Sequence, residues 1–131
     1  YCGLSDCIET HLCGKGLCQT YLEVNPGAVP IDQAQRIAEA ARRGNASAQR
    51  ALKRYCDVLS QALATVINVL DPDVIVFGGG LSQLPGLCAE VQARLPAHVF
   101  GRDMQTRLAL AQHGDASGVR GAAWLGAKPK R

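Results

Sequence analysis

Two thiols and a carboxylate crowd the run Cys2-Gly3-Leu4-Ser5-Asp6-Cys7-Ile8-Glu9. A glycine-bearing loop between two cysteines makes a knuckle that can hold half of a tetrahedral zinc site, but two ligands alone do not bind zinc tightly. His11 follows Cys7 by about one helical turn and Cys13 lies close by. A local set of Cys2, Cys7, His11 and Cys13 is therefore chemically possible, and the alternative is a group of buried structural thiols. Glu9 falls where a helix would start, and an acid there favours the helix dipole. Far along the chain, Gly78, Gly79 and Gly80 follow the apolar run Val74-Ile75-Val76-Phe77. Glycines at the carboxyl end of a strand let a ligand approach the backbone, and a following helix offers its first amides. The same three glycines would also serve a plain tight turn.

The elements that must position these residues are legible in outline. The pattern over residues 7–21 allows a helix, weakened by Gly14 and Gly16 at roughly 1 kcal/mol each relative to alanine. Pro26, Gly27 and Pro30 then forbid regular structure. Asp32 is placed to cap a helix with Ala34, Ile37, Ala38 and Ala41 on one face and Gly44 as its stop. Leu52, Tyr55, Leu59, Leu63, Val66, Ile67 and Leu70 recur at three and four residues, predicting a long helix from Asn45 that Pro72 must end. The unbroken run Val74–Phe77 predicts a strand buried on both faces, as in a parallel sheet. Pro85 suits the first turn of a helix ending near Leu95, and a strand over 106–111 and a short helix over 119–125 complete an α/β layer.

At 131 residues and 47% hydrophobic content the chain can bury a core as one domain or a large part of one. It opens at Tyr1, directly on the cysteine motif, which predicts a fragment. No apolar run approaches the roughly 20 residues that cross a bilayer. The formal charge of +3 is modest, and its share in residues 128–131 reads as a solvated tail rather than a nucleic-acid arm. Cys56 and Cys88 fall in apolar helical patterns, so the six cysteines fit buried thiols and metal ligands of a reducing cytoplasm better than a secreted disulfide framework.

The opening run resembles the signature of the ROK family (repressors, open reading frames and kinases), in which Cys-x-Cys-Gly-x-x-x-Cys-x-Glu-Thr opens a helix. Two further stretches carry the resemblance over nearly the whole chain. Asn68-Val69-Leu70-Asp71-Pro72-Asp73-Val74-Ile75-Val76-Phe77-Gly78-Gly79-Gly80-Leu81-Ser82 is similar to the family's nucleotide-side strand and loop. Gly114-Asp115-Ala116-Ser117-Gly118-Val119-Arg120-Gly121-Ala122-Ala123-Trp124-Leu125 is similar to its terminal helix, and resembles bacterial fructokinases most. The chain departs from the pattern at Cys13-Gly14, where relatives usually have Ser-Gly.

The resemblance implies the C-terminal portion of an actin/hexokinase-like (ribonuclease H-like) lobe. It divides the chain into a zinc-motif end and helix (1–21), a helical segment (31–70) and nucleotide-side strands and helices (73–127). It implies that Cys2 and Cys7 are two of four ligands to a structural Zn²⁺, with the others upstream, that Glu9 hydrogen-bonds sugar hydroxyls, and that Gly78, Gly79 and Gly80 face ATP. A carboxylate suits that task because it accepts two hydroxyl bonds at once and, being charged, makes strong ones. The implied activity of the parent protein is ATP- and Mg²⁺-dependent phosphorylation of a hexose, with fructose or glucose first. The family's Asp-x-Gly-x-Thr phosphate hairpin and its catalytic Asp lie upstream of the zinc motif and occur nowhere in this chain. No catalytic residue is therefore assigned here, and the fragment alone is predicted inactive. The implied partners are hexose, ATP, the upstream half of the same protein and a second copy in a homodimer. No membrane partner is expected, nor nucleic acid unless the chain comes from the rival class, a sugar-responsive ROK repressor. A stand-alone zinc-binding interaction module is the third reading.

Overall fold

The computed structural model describes residues 3–101 and 104–126. Cys2 and the basic residues 128–131 therefore lie outside the described residues. Among the described residues, six helices and two strands follow one another: α1 (Ile8–His11), α2 (Gly14–Glu23), α3 (Ala34–Arg42), α4 (Ala46–Leu70), β1 (Val74–Phe77), α5 (Leu87–Arg94), β2 (Arg107–Leu110) and α6 (Ser117–Gly126). Single 3₁₀ turns stand at Gly80–Gln83, Leu95–Ala97 and Gly114–Ala116.

The long helix α4 organises the rest. Asn45 caps it, its side-chain oxygen accepting from the Ala48 amide at 2.9 Å. At the other end Asp71 takes a left-handed conformation, φ 43°, and Pro72 prevents another turn. Its inner face carries Ala48, Ala51, Tyr55, Cys56, Ala64 and Ile67 into a core shared with Leu17 and Tyr21 of α2, Ile37 and Ala41 of α3, and Leu87 and Val91 of α5. Small residues on α4 let α2 and α3 approach closely, while Arg94 ties α5 to it through Asp57 at 3.1 Å. β1 and β2 pair in parallel, Val74 opposite Arg107 and Phe77 opposite Leu110. Gln92 of α5 secures β2 from the side, donating to the Thr106 carbonyl at 3.2 Å and accepting from the Leu108 amide at 2.7 Å.

Four expectations are corrected. The helix over 7–21 is two helices, because the first stops at Leu12 and Cys13 caps the second, its sulfur accepting from the Gly16 amide at 3.3 Å. Asp32 does not cap α3. Gln33 holds the cap position without a side-chain bond, and Asp32 instead faces Arg36 at 3.8 Å. Pro85 precedes α5 rather than opening it, since Gly86 at φ 80° stands at the cap. β1 is not buried on both faces: Ile75 and Phe77 pack against the core, while Val74 and Val76 are exposed, because no described layer covers the second face of the sheet.

Candidate functional site

Glu9 sits in the first turn of α1 with its side chain exposed. α1 is only four residues long and buries none of them. A helix this short has no stability of its own, so its neighbours set its position. Cys7, half-buried, occupies the cap position, and its carbonyl accepts from the Thr10 amide at 2.9 Å and the Thr10 hydroxyl at 2.6 Å. Leu12 ends α1, and its carbonyl accepts from the Tyr55 hydroxyl of α4 at 3.3 Å. Burial is the main reason the Tyr55 phenol is pushed up to about 12, with the neighbouring Cys56 and Cys13 adding to it, so it remains a donor across the physiological range. α2 approaches α1 backbone to backbone at Gly16, where a Cβ would fall 2.2 Å from the His11 carbonyl oxygen.

The glycine loop stands at the carboxyl end of β1. Gly79 has φ 78° and ψ 177°, a conformation glycine adopts freely. Its carbonyl accepts from the Ser82 hydroxyl at 2.7 Å and the Ser82 amide at 3.2 Å, which closes the turn. Nothing lies within 4 Å of where a Cβ would stand on Gly79 or Gly80, and Gly78 meets only Ala111 at 3.9 Å. The backbone is thus open to approach. The amides that follow belong to the turn Gly80–Gln83 rather than to a full helix, as α5 starts only at Leu87.

One cleft of about 300 Å³ joins these two elements, with Leu12 and Tyr55 on one side and Phe77, Gly78 and Ser82 on the other. Glu9 does not line it, but Leu12, which ends the Glu9 helix, does. Sequence reasoning missed Tyr55 and Ser82 because each reads as ordinary: a helical core position and a polar residue after glycines. A more open depression of about 620 Å³, lined by Arg36, Glu39, Arg43 and Asn45, touches neither motif.

The cysteines divide by environment. Burial pushes the Cys56 thiol up to about 11, with Glu90 and Asp57 adding to it and Arg94 opposing. Burial also raises Cys18, helped by Asp32 and Cys13. Both remain thiols rather than nucleophilic thiolates at neutral pH. The local zinc set does not assemble from its described members. His11 Nε2 is 2.6 Å from Asp6 Oδ1, Cys13 caps α2, and no three His, Cys, Asp or Glu side chains among the described residues are placed to hold a metal ion. Cys7 is the only described member of the pair Cys2 and Cys7, so the described residues do not by themselves make a zinc site.

The family model described as ROK family matches residues 1–128. N-acetyl-D-glucosamine kinase of Escherichia coli O9:H4 (strain HS) is 37% identical over 124 residues, covering 95% of this chain and 40% of its own length. The enzyme of the same name from Shigella boydii serotype 4 (strain Sb227) is 36% identical over the same shares. A ROK family glucokinase from Streptomyces griseus, solved in complex with glucose and AMPPNP, superposes with a TM-score of 0.80 at 24% identity, over 95% of this chain and 45% of its own. The ROK hexokinase of Thermus thermophilus gives a TM-score of 0.75 at 24% identity, over 93% of this chain and 40% of its own. The chain thus spans about 40% of the length of the curated relatives it matches. The mixed helix and strand architecture is that of the actin-like, hexokinase-type ATPase fold, consistent with its C-terminal portion.

Proposed function

Because the chain belongs to the ROK family, we propose that the whole protein transfers the γ-phosphoryl group of ATP to a hexose hydroxyl. In this reading Glu9 accepts hydrogen bonds from sugar hydroxyls, and Gly78, Gly79 and Gly80 let the nucleotide phosphates approach the backbone. The observation that supports it is the shared cleft. Leu12, which ends the helix presenting Glu9, lines one wall, and Gly78 and Ser82 from the two ends of the glycine turn line the other, so a phosphoryl donor and a hydroxyl acceptor can be held against one body. Phosphoryl transfer depends mainly on such positioning and on charge stabilisation. Mg²⁺ would supply charge stabilisation when bound with ATP. The base that takes the hydroxyl proton is assigned to the part of the protein outside this chain, and Cys2 and Cys7 are read as two zinc ligands completed from there.

Fructose and glucose are the leading acceptors from the sequence, and the relatives' names add N-acetylglucosamine as a third candidate. A coupled ADP-release assay on the whole protein with fructose, glucose, mannose and N-acetylglucosamine tests the reading. Turnover with at least one hexose is expected, and none from the isolated chain. Saturable sugar binding with no turnover of any hexose would replace the kinase by a sugar-responsive regulator.

A further inference from the structure

We propose that Asp6 and His11 are positioning residues, a clasp across α1 that fixes where Glu9 presents its carboxylate. The proposal rests on reading Glu9 as the sugar-binding group. Asp6 stands immediately before the cap residue of α1 and His11 is its last residue, so the 2.6 Å contact between Asp6 Oδ1 and His11 Nε2 runs the full length of the helix. Glu9 lies between the two ends of that contact. Asp6 also holds a left-handed backbone, φ 62°, one of only two non-glycine residues with positive φ among the described residues. Aspartate tolerates that region better than most residues, yet such a conformation persists only where its surroundings hold it. The carboxylate–imidazole contact supplies such a hold.

The two ends of α1 are secured differently. Tyr55 and the close approach at Gly16 fix its carboxyl end from the core side. The amino end is tied back by Asp6 to His11, both with exposed side chains. An exposed pair adds little to global stability. Its effect is local, on the orientation of a helix with no buried residue of its own. The neutral imidazole with its proton on Nε2 donates to the carboxylate, and the protonated ring makes a stronger, charge-assisted bond, so the clasp does not require a charged histidine.

The test uses the whole protein with its preferred hexose. Asp6→Gly removes the carboxylate while keeping positive φ accessible, and His11→Leu removes the donor. His11→Gln restores an N–H of similar reach. Asp6→Gly and His11→Leu should each raise the sugar KM about three- to tenfold, the effect of one modest hydrogen bond, with the ATP KM unchanged. His11→Gln should return the sugar KM toward that of the parent protein. In a Glu9→Gln background neither substitution should add to the loss, since both act through the same group. An unchanged sugar KM in Asp6→Gly, with a raised one in Glu9→Gln, would overturn the clasp and leave the role of Glu9 standing. An unchanged sugar KM in Glu9→Gln would overturn both. Sugar and ATP KM rising together in Asp6→Gly would make the pair a general structural tie and also overturn the proposal. Asp6 is exposed, so this variant decides the matter even if His11→Leu folds poorly.

Discussion

Cys56 lies on the inner face of α4 at 5% exposure, where a thiolate would be far from water. Its folded pKa of about 11 stands above the ordinary 9.0, so the native state keeps a proton that the unfolded chain releases. The corresponding stability is complete below pH 9 and is lost as pH rises from 9 toward 11. Tyr55, raised from 10.0 to about 12, extends the loss to higher pH. Denaturant melts of the chain at pH 8 and pH 10.5 should differ by on the order of 2 kcal/mol, and Cys56→Ala should flatten that slope while lowering stability at pH 8. An equal slope in the variant would mean that Cys56 is not the group responsible. The sequence placed Cys56 correctly in an apolar helical stripe, since three- and four-residue spacing is a local property. The sequence held no sign of the left-handed Asp6 or the Tyr55 bond to Leu12. Each depends on where a distant element packs.

The same division holds for the elements. α4 was legible from end to end because its cap at Asn45, its apolar spacing and its stop at Pro72 all lie within or directly beside it in the sequence. The strand over 106–111 and the helix over 119–125 were found with small shifts, to Arg107–Leu110 and Ser117–Gly126. The break between α1 and α2 was missed because a cysteine is an unusual cap, and only its sulfur at 3.3 Å from the Gly16 amide reveals it. Gly16 was read as a mere weakness in a helix, although it is the contact between two helices. The two glycines of α2 therefore separate cleanly. Gly16→Ala drives a methyl to 2.2 Å from the His11 carbonyl, and it should destabilise the chain by about 1–3 kcal/mol, as overpacking does. Gly14→Ala meets nothing within 4 Å and should be neutral or stabilising by up to about 1 kcal/mol. Thermal melts of both variants check this. Equal losses would mean that helix propensity, not the approach of α2 to α1, decides at these positions.

Across the whole molecule, the described surface keeps apolar residues uncovered on the free sheet face, at Val74 and Val76, at the strand end Leu110, and on α6, at Val119, Trp124 and Leu125. The expectation of covering by the remainder of the protein or by a second copy is a proposal, made for a chain that spans about 40% of its curated relatives' length. Among the described residues no helix is long and apolar enough to cross a membrane. The architecture was legible because three motifs spread along the chain carry one family's pattern, and the acceptor sugar was not, because the groups that distinguish hexoses need not lie within this chain. The proposed division of labour between Glu9 and the glycine loop predicts a crossed result in the whole protein. Gly79→Val confuses the issue by straining a backbone at φ 78°, whereas Gly80→Val puts a side chain into open space without a positive φ to oppose it. Steady-state kinetics should show the sugar KM rising on the order of ten- to a hundredfold in Glu9→Gln with the ATP KM unchanged, from the loss of a charge-assisted bond. Gly80→Val should do the reverse, raising the ATP KM and sparing that of the sugar. A Glu9→Gln protein with an unaltered sugar KM, or a Gly80→Val protein that binds ATP as before, would contradict the roles proposed for Glu9 and the glycine loop.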